Sequence, residues 1–214
     1  MSLDLARALA ATLPEGVDGL FNPYRDRCEL DDPRSPEGGP EGRLQRLAAH
    51  LSRAPRLVLC GEAPGYQGCR YSGVAFVSER QLLDGVIPGI DRLSGRLTTR
   101  DKSFAEPSAT IVWKALFKLG VAEQAITWNA LQMHPHRPGS PWTNRTPTNA
   151  ELAHGRAALH LLREAFPGMA FVAVGRKSTM LLADAGIEAA ATIRHPANGG
   201  AVEFNNGLAA LLQR

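Results

Sequence analysis

Cysteine is scarce in this chain. Cys28, Cys60 and Cys69 are the three among 214 residues, too few for a disulfide framework or a four-thiolate cluster within one chain. Long apolar runs are missing too, since none approaches the ~20 residues needed to cross a bilayer. The opening MSLDLARALAATLPEG breaks its apolar stretch with Asp4 and Arg7 and does not read as a signal peptide. Nor is there a large excess of one charge: 24 basic against 21 acidic residues leave +3, which permits a polyanionic partner without requiring one. Lysine is rare, with four against twenty arginines; a codon bias would give the same skew. These absences predict a soluble, cytoplasmic protein with no membrane association, and a monomer is expected.

What is present is an ordinary globular share of hydrophobic residues, 44%, enough for a sizeable core. With no repeat and no second composition regime, one domain spanning 1–214 is expected. Residues 22–42 are rich in Pro, Gly and charge and read as a surface excursion. From Arg43 the pattern is regular. Leu44, Leu47, Ala48 and Leu51 make a helical stripe that Pro55 stops, and the run 56–60 reads as a buried strand. Similar runs return at 125–131, 169–174 and, more weakly, 189–193. Helix-like stretches fall at 81–87, 108–119, 149–166 and 177–185. Thr148 and Glu151 have capping-box spacing, while Gly120 and Gly186 sit where helices would end. Strands alternating with helices imply an α/β fold with a mostly parallel sheet covered on both faces.

In such sheets chemistry gathers in the loops leaving the C-terminal strand ends. Three qualify: Gly61-Glu-Ala-Pro-Gly65, the 129–147 segment and Arg194-His-Pro-Ala-Asn-Gly-Gly200. Glu62 is a candidate base or water positioner, though a Glu bonding turn amides is the ordinary alternative. His195 is placed to donate to charge on a leaving group, and Arg194 beside it disfavours the imidazolium. Asn129 offers a donor and an acceptor that suit a base edge. Phe76 is a candidate stacking platform, with core packing as the alternative. His134 and His136 lack a third ligand nearby in sequence, so no metal site is expected. Trp142-Thr-Asn-Arg145 is compatible with phosphate contact, and Asn198-Gly199-Gly200 offers backbone amides to an anion.

Together these pieces resemble the uracil-DNA glycosylase superfamily, in particular its bacterial and archaeal thermostable branch. The branch's G-E-A/G-P-G loop matches Gly61 to Gly65, and its G-x-P-F-V-G-x-A-G-x-L-L-D stretch loosely matches Gly73 to Asp84. T-N-x-V is matched by Ile126-Thr-Trp-Asn129, the N-R-x-P-T segment by Asn144 to Glu151, and H-P-S by His195-Pro-Ala197. The matches keep the family's order over roughly residues 56–200. The resemblance implies a three-layer α/β/α sandwich around a four-stranded, mostly parallel sheet. It implies hydrolysis of the N-glycosidic bond of uracil or a related deaminated base in DNA, single- or double-stranded, with the base swung into a pocket and no metal or organic cofactor. Phe76 would stack on the base, Asn129 would bond its edge, and Gly61 and Ala63 would lie against it. His195 would bond the base's O2. On the residues themselves, Glu62 is expected to position water, and Arg70, Arg145, Asn198 and Gly199 to contact the DNA.

The sequence also departs from the family's pattern. Three cysteines exclude the branch's iron–sulfur cluster. Ala63 stands where efficient uracil enzymes place a water-aiming Asp, and Gly65 where they place a Tyr that blocks thymine's methyl. The turn Asn198-Gly-Gly-Ala201 offers no apolar wedge, which favours single-stranded substrates. Two alternatives stay open: a member of the same fold that binds damaged DNA without cutting it, and a hydrolase of free nucleotides.

Overall fold

The computed structural model describes residues 2–213. In chain order the elements are α1 (Ser2–Ala11), β1 (Leu20–Phe21), α2 (Gly39–Leu51), β2 (Leu57–Gly61), α3 (Cys69–Ser72), α4 (Glu79–Asp84) and α5 (Pro107–Lys118). Then follow β3 (Ala125–Asn129), β4 (His134–Pro135), α6 (Asn149–Leu152), α7 (Arg156–Ala165), β5 (Ala170–Val174), α8 (Arg176–Asp184), β6 (Ala191–Ile193) and α9 (Ala201–Leu212). The main sheet has four parallel strands in the order β3-β2-β5-β6. The α/β sandwich expected from the sequence is therefore the fold observed.

Strand alternation divides the core into two layers. Val58, Cys60, Ile126, Trp128, Phe171 and Ala173 face one buried cluster with residues of α1, α2, α7 and α8. Leu57, Leu59, Val172 and Val174 face the other, with residues of α4, α5 and α9. Strands β2, β3 and β5 hide both faces, which is why they read as continuous apolar runs, whereas β6 at the sheet edge exposes Thr192 and reads more weakly.

Several boundaries differ from the sequence reading for physical reasons. Helix α2 starts at Gly39, ahead of the apolar stripe that begins at Leu44, because Pro40 and Glu41 suit a helix's first turn. The single helix expected over 149–166 breaks at Ala153–Gly155, a short 3₁₀ turn. There Gly155 lies so close to Ala130 that an added Cβ would sit 1.6 Å from the Ala130 carbonyl oxygen. Helices α1 and α9 were not expected. In α9 only Phe204 and Leu208 are buried, and the Asn-Asn-Gly between them masks the periodicity.

The 22–42 segment is more than a surface excursion. The Tyr24 hydroxyl donates to the Gly73 carbonyl at 2.7 Å. Asp31 pairs with the buried Arg43, whose guanidinium also bonds the carbonyls of Pro23 and Asp26. This strap holds the loop after β2, from which the site is built.

Candidate active site

Strands β2 and β3 end side by side, with Gly61 and Asn129 as register partners. Gly61 has no room for a side chain: an added Cβ would lie 2.6 Å from Phe76 Cζ and 2.7 Å from Asn129 Oδ1. The aromatic ring and the amide therefore close over the same glycine. Phe76 itself holds a left-handed backbone, φ 53°, a conformation that costs a non-glycine residue of order 1–3 kcal/mol and persists only when its surroundings fix it. Here Trp113 Nε1 donates to the Phe76 carbonyl at 2.9 Å.

Asn129 is only 3% exposed. Its backbone N–H donates to Gln132 Oε1 at 3.2 Å, and Gln132 Nε2 is held in turn by Tyr24 Oη at 2.9 Å and Cys69 Sγ at 3.3 Å. The side-chain Nδ2 is buried and has no partner among the described residues. An unpaired buried amide donor of this kind is uncommon in folded proteins, and this one belongs to a residue that lines a cavity.

His195 comes from the loop after β6, and its ring centroid lies 5.8 Å from that of Phe76. The Ala197 N–H donates to its Nδ1 at 3.2 Å, so in the neutral ring the proton is on Nε2. Burial lowers its pKa, Glu62 raises it and Arg194 lowers it again, with a net shift downward. Near neutral pH the ring is a neutral donor through Nε2.

Phe76, Asn129 and His195 line one cavity of about 490 Å³, together with Glu62, Ala63, Asn198 and Arg194. Asn198 is exposed with φ 52°, and Gly199 follows with φ 79°. The turn is tight: a Cβ on Gly200 would meet the His195 carbonyl oxygen at 2.2 Å.

Two residues expected to contact DNA are engaged within the protein. Arg70, expected on phosphate, is 3% exposed; it stacks on Phe21 at 3.7 Å and donates to His134 Nδ1 at 2.9 Å. Its place in a glycine-containing loop suggested exposure, but β1 and β4 cover it. Arg145 does line the cavity, yet its guanidinium is held by both Glu151 oxygens and by the carbonyls of His136 and Gly19. That pairing draws the Glu151 carboxyl down to about 2.

Glu62, expected to position water, turns toward β5. Its Oε1 accepts the Lys177 N–H at 3.0 Å at the start of α8, and Gly175 leaves room for it, since a Cβ there would lie 2.7 Å from Oε1. Its role as a turn-bonding Glu is thus realised across strands. His134 is likewise structural. Its pKa is lowered to about 3 by burial, then by Arg70 and His136, and its Nε2 lies 3.0 Å from the Thr143 carbonyl oxygen.

The sequence reading missed Glu106 and Ser108, which line the cavity together with Asn144 of the 142–145 loop. Asn144 Oδ1 accepts the Tyr66 N–H at 3.0 Å, tying the β2 loop to the 129–147 segment. Glu106 precedes Pro107 at the start of α5 without capping it. The only sequence signal was an acid before a helix-starting proline, which reads as a solvated cap.

The family model of the uracil DNA glycosylase superfamily matches residues 49–207. The fold is an α/β sandwich around a four-stranded parallel sheet, and the chain belongs to the uracil-DNA glycosylase superfamily. Among solved structures, wild-type Pedobacter heparinus SMUG2 is similar, with a TM-score of 0.65 and 14% identity over 100% of this chain and 99% of that one. At that identity the likeness concerns the fold. Comparison with curated protein sequences finds no match.

Proposed function

We propose that this protein is a monofunctional DNA glycosylase that hydrolyses the N-glycosidic bond of uracil or a related deaminated base. The observation that carries the reading is the convergence of three groups on one cavity: the Phe76 ring, the unpaired Asn129 amide and the Nε2–H of His195. A planar base entering there stacks on Phe76 and gives the Asn129 Nδ2 the acceptor it lacks, such as a pyrimidine carbonyl. A base reaches such a pocket only by leaving its stack.

As the C1′–N bond breaks, its electron pair moves onto the base. A neutral His195 donor then strengthens its bond to the base oxygen as charge collects there, which is stabilisation realised in the transition state. Burial, by lowering the His195 pKa, keeps the ring in that donor form.

The Asn198-Gly199 turn, whose Asn198 lines the cavity, carries no large apolar side chain to hold a duplex open. Single-stranded DNA is therefore the favoured substrate. The test is excision of uracil from matched single- and double-stranded oligonucleotides, scored by alkaline cleavage at the abasic site. Excision faster from duplex would remove the strand preference.

A second reading, recognition of damaged DNA without cleavage, is favoured by one observation. Ala63 carries no acid, and the Glu62 carboxylate caps α8. It predicts retained binding in a gel shift with no abasic product.

A further inference from the structure

This fold treats two carboxylates in opposite ways: Glu79, which is fully buried, and Glu106, which is half-buried with its Oε2 enclosed. Glu79 accepts hydrogen bonds from Arg96 Nε, the N–H groups of Leu97, Thr98 and Phe104, and the Thr98 hydroxyl, at 2.8–3.0 Å. Burial pushes its pKa up, but those donors outweigh it and the net shift is downward. Glu79 thereby clamps the 96–104 loop that leads to Glu106. Glu106 receives nothing comparable. It stands at the N-cap, just before α5, yet its side chain makes no cap bond, and its Oε2 is buried with no partner among the described residues.

The surroundings of Glu106 are built to admit it. Gly68 lies so close that an added Cβ would sit 1.9 Å from Oε2, and a Cβ on Gly65 would lie 3.1 Å from Oε1. The carboxylate thus fills the space that two glycines of the β2 loop leave open. It lines the cavity shared by Phe76, Asn129 and His195, and also the adjoining cavity that opens to Ala197 and Asn198. The titratable and charged groups around the shared cavity are Glu62, Cys69, Arg145, Arg194 and His195. None of them is hydrogen-bonded to Glu106. An enclosed carboxylate oxygen with no donor is costly, and one on a residue that lines the shared cavity is placed for work on a bound molecule.

We infer that Glu106 is the catalytic base of this enzyme, accepting a proton from the water that attacks C1′ of the deoxyribose. The inference rests on the glycosylase reading above. The C1′–N bond breaks with its electron pair going to the base, whose oxygen His195 holds. Water oxygen bonds to C1′, and its proton passes to the Glu106 carboxylate. The proton then leaves for solvent or the departing base anion, giving an abasic hydroxyl and a free base. Glu106 in this way supplies the carboxylate that Ala63 lacks and that Glu62 has committed to α8. Burial raises the Glu106 pKa to about 7, near the value a base working at neutral pH needs.

The test is single-turnover uracil excision between about pH 5.5 and pH 9, with wild type, Glu106→Gln and Glu106→Ala. Wild type is expected to gain rate through about pH 7 to a plateau. Glu106→Gln should lose ~10²-fold or more on every excised base and lose that rise, while still binding uracil DNA in a gel shift. Added formate should restore part of the Glu106→Ala rate. Thermal melts of both variants separate loss of the base from loss of the fold. If neither variant folds, the wild-type profile decides, and a rate flat from about pH 6 to 8 overturns the proposal. A Glu106→Gln enzyme with wild-type rate and profile, or one altered only in base preference, also overturns it. Those results leave the glycosylase reading standing, whereas a wild-type protein that releases no base sinks both.

Discussion

The backbone N–H of Ala197 donates to Nδ1 of His195 at 3.2 Å, two residues along the same turn. This contact decides which face of the imidazole is chemically useful, because it leaves the Nε2 proton for the cavity. His195→Ala is expected to lower the single-turnover excision rate by ~10²–10³-fold, the usual cost of losing one donor to a developing anion. Folding stability should change little. A loss below tenfold would remove His195 from the chemistry.

Sign matters for the pH dependence. His195 titrates below its ordinary value of 6.5, so above that pH it is neutral and contributes no slope. Its imidazolium appears only on the acid side. The lowered pKa also means that the unfolded chain takes up this proton first, so stability from the buried neutral ring is lost as pH falls below 6.5. Replacing Glu62 with Gln removes the charge that supports the imidazolium and should lower the His195 pKa further, as read by NMR of the ring protons.

Glu106 makes the opposite contribution. Its folded pKa of about 7 lies above the ordinary 4.5, so the folded state prefers the protonated acid. Stability is then lost as pH rises from about 4.5 towards 7, at up to ~1.4 kcal/mol per unit of pH. Glu106→Gln should remove that loss, so its melting temperature at alkaline pH should exceed that of wild type. A variant that melts lower at every pH would show that the carboxylate stabilises the fold.

Gly61→Ala tests the pocket floor. The new methyl would meet both Phe76 and Asn129 below 2.8 Å, and overpacking of this kind costs ~1–3 kcal/mol. Excision should fall far more than stability, since the ring and the amide are displaced together. Wild-type excision in a folded Gly61→Ala protein would separate these residues from the site.

Arg70→Ala is expected to destabilise the fold by ~1–3 kcal/mol through loss of its hydrogen bond and ring contact. The salt dependence of DNA binding should be unchanged. A flatter salt slope with an unchanged melt would restore the phosphate role its sequence position suggested.

The sheet was legible because its strands are apolar runs cut off by proline and glycine; Asn129 and His195 were legible because each stands at or just past the end of such a run, and Phe76, between α3 and α4, through the family resemblance of the 73–84 stretch. What was not legible depends on contacts between distant segments. Arg70 is buried by Phe21 and His134, Glu62 is turned by the amide of Lys177, and Glu106 is enclosed by Gly65 and Gly68. No local pattern announces such pairings, because an acid or a guanidinium has the same letter whether solvated or enclosed. The break at Gly155 is of the same kind, since it answers to Ala130 across the fold.

The central claim is tested most directly by incubating the protein with an oligonucleotide containing one uracil, followed by alkaline cleavage and chromatography of the released base. The account predicts free uracil and an abasic strand in equal amounts, both lost in His195→Ala. Intact strands at high protein concentration, with binding retained, would contradict it.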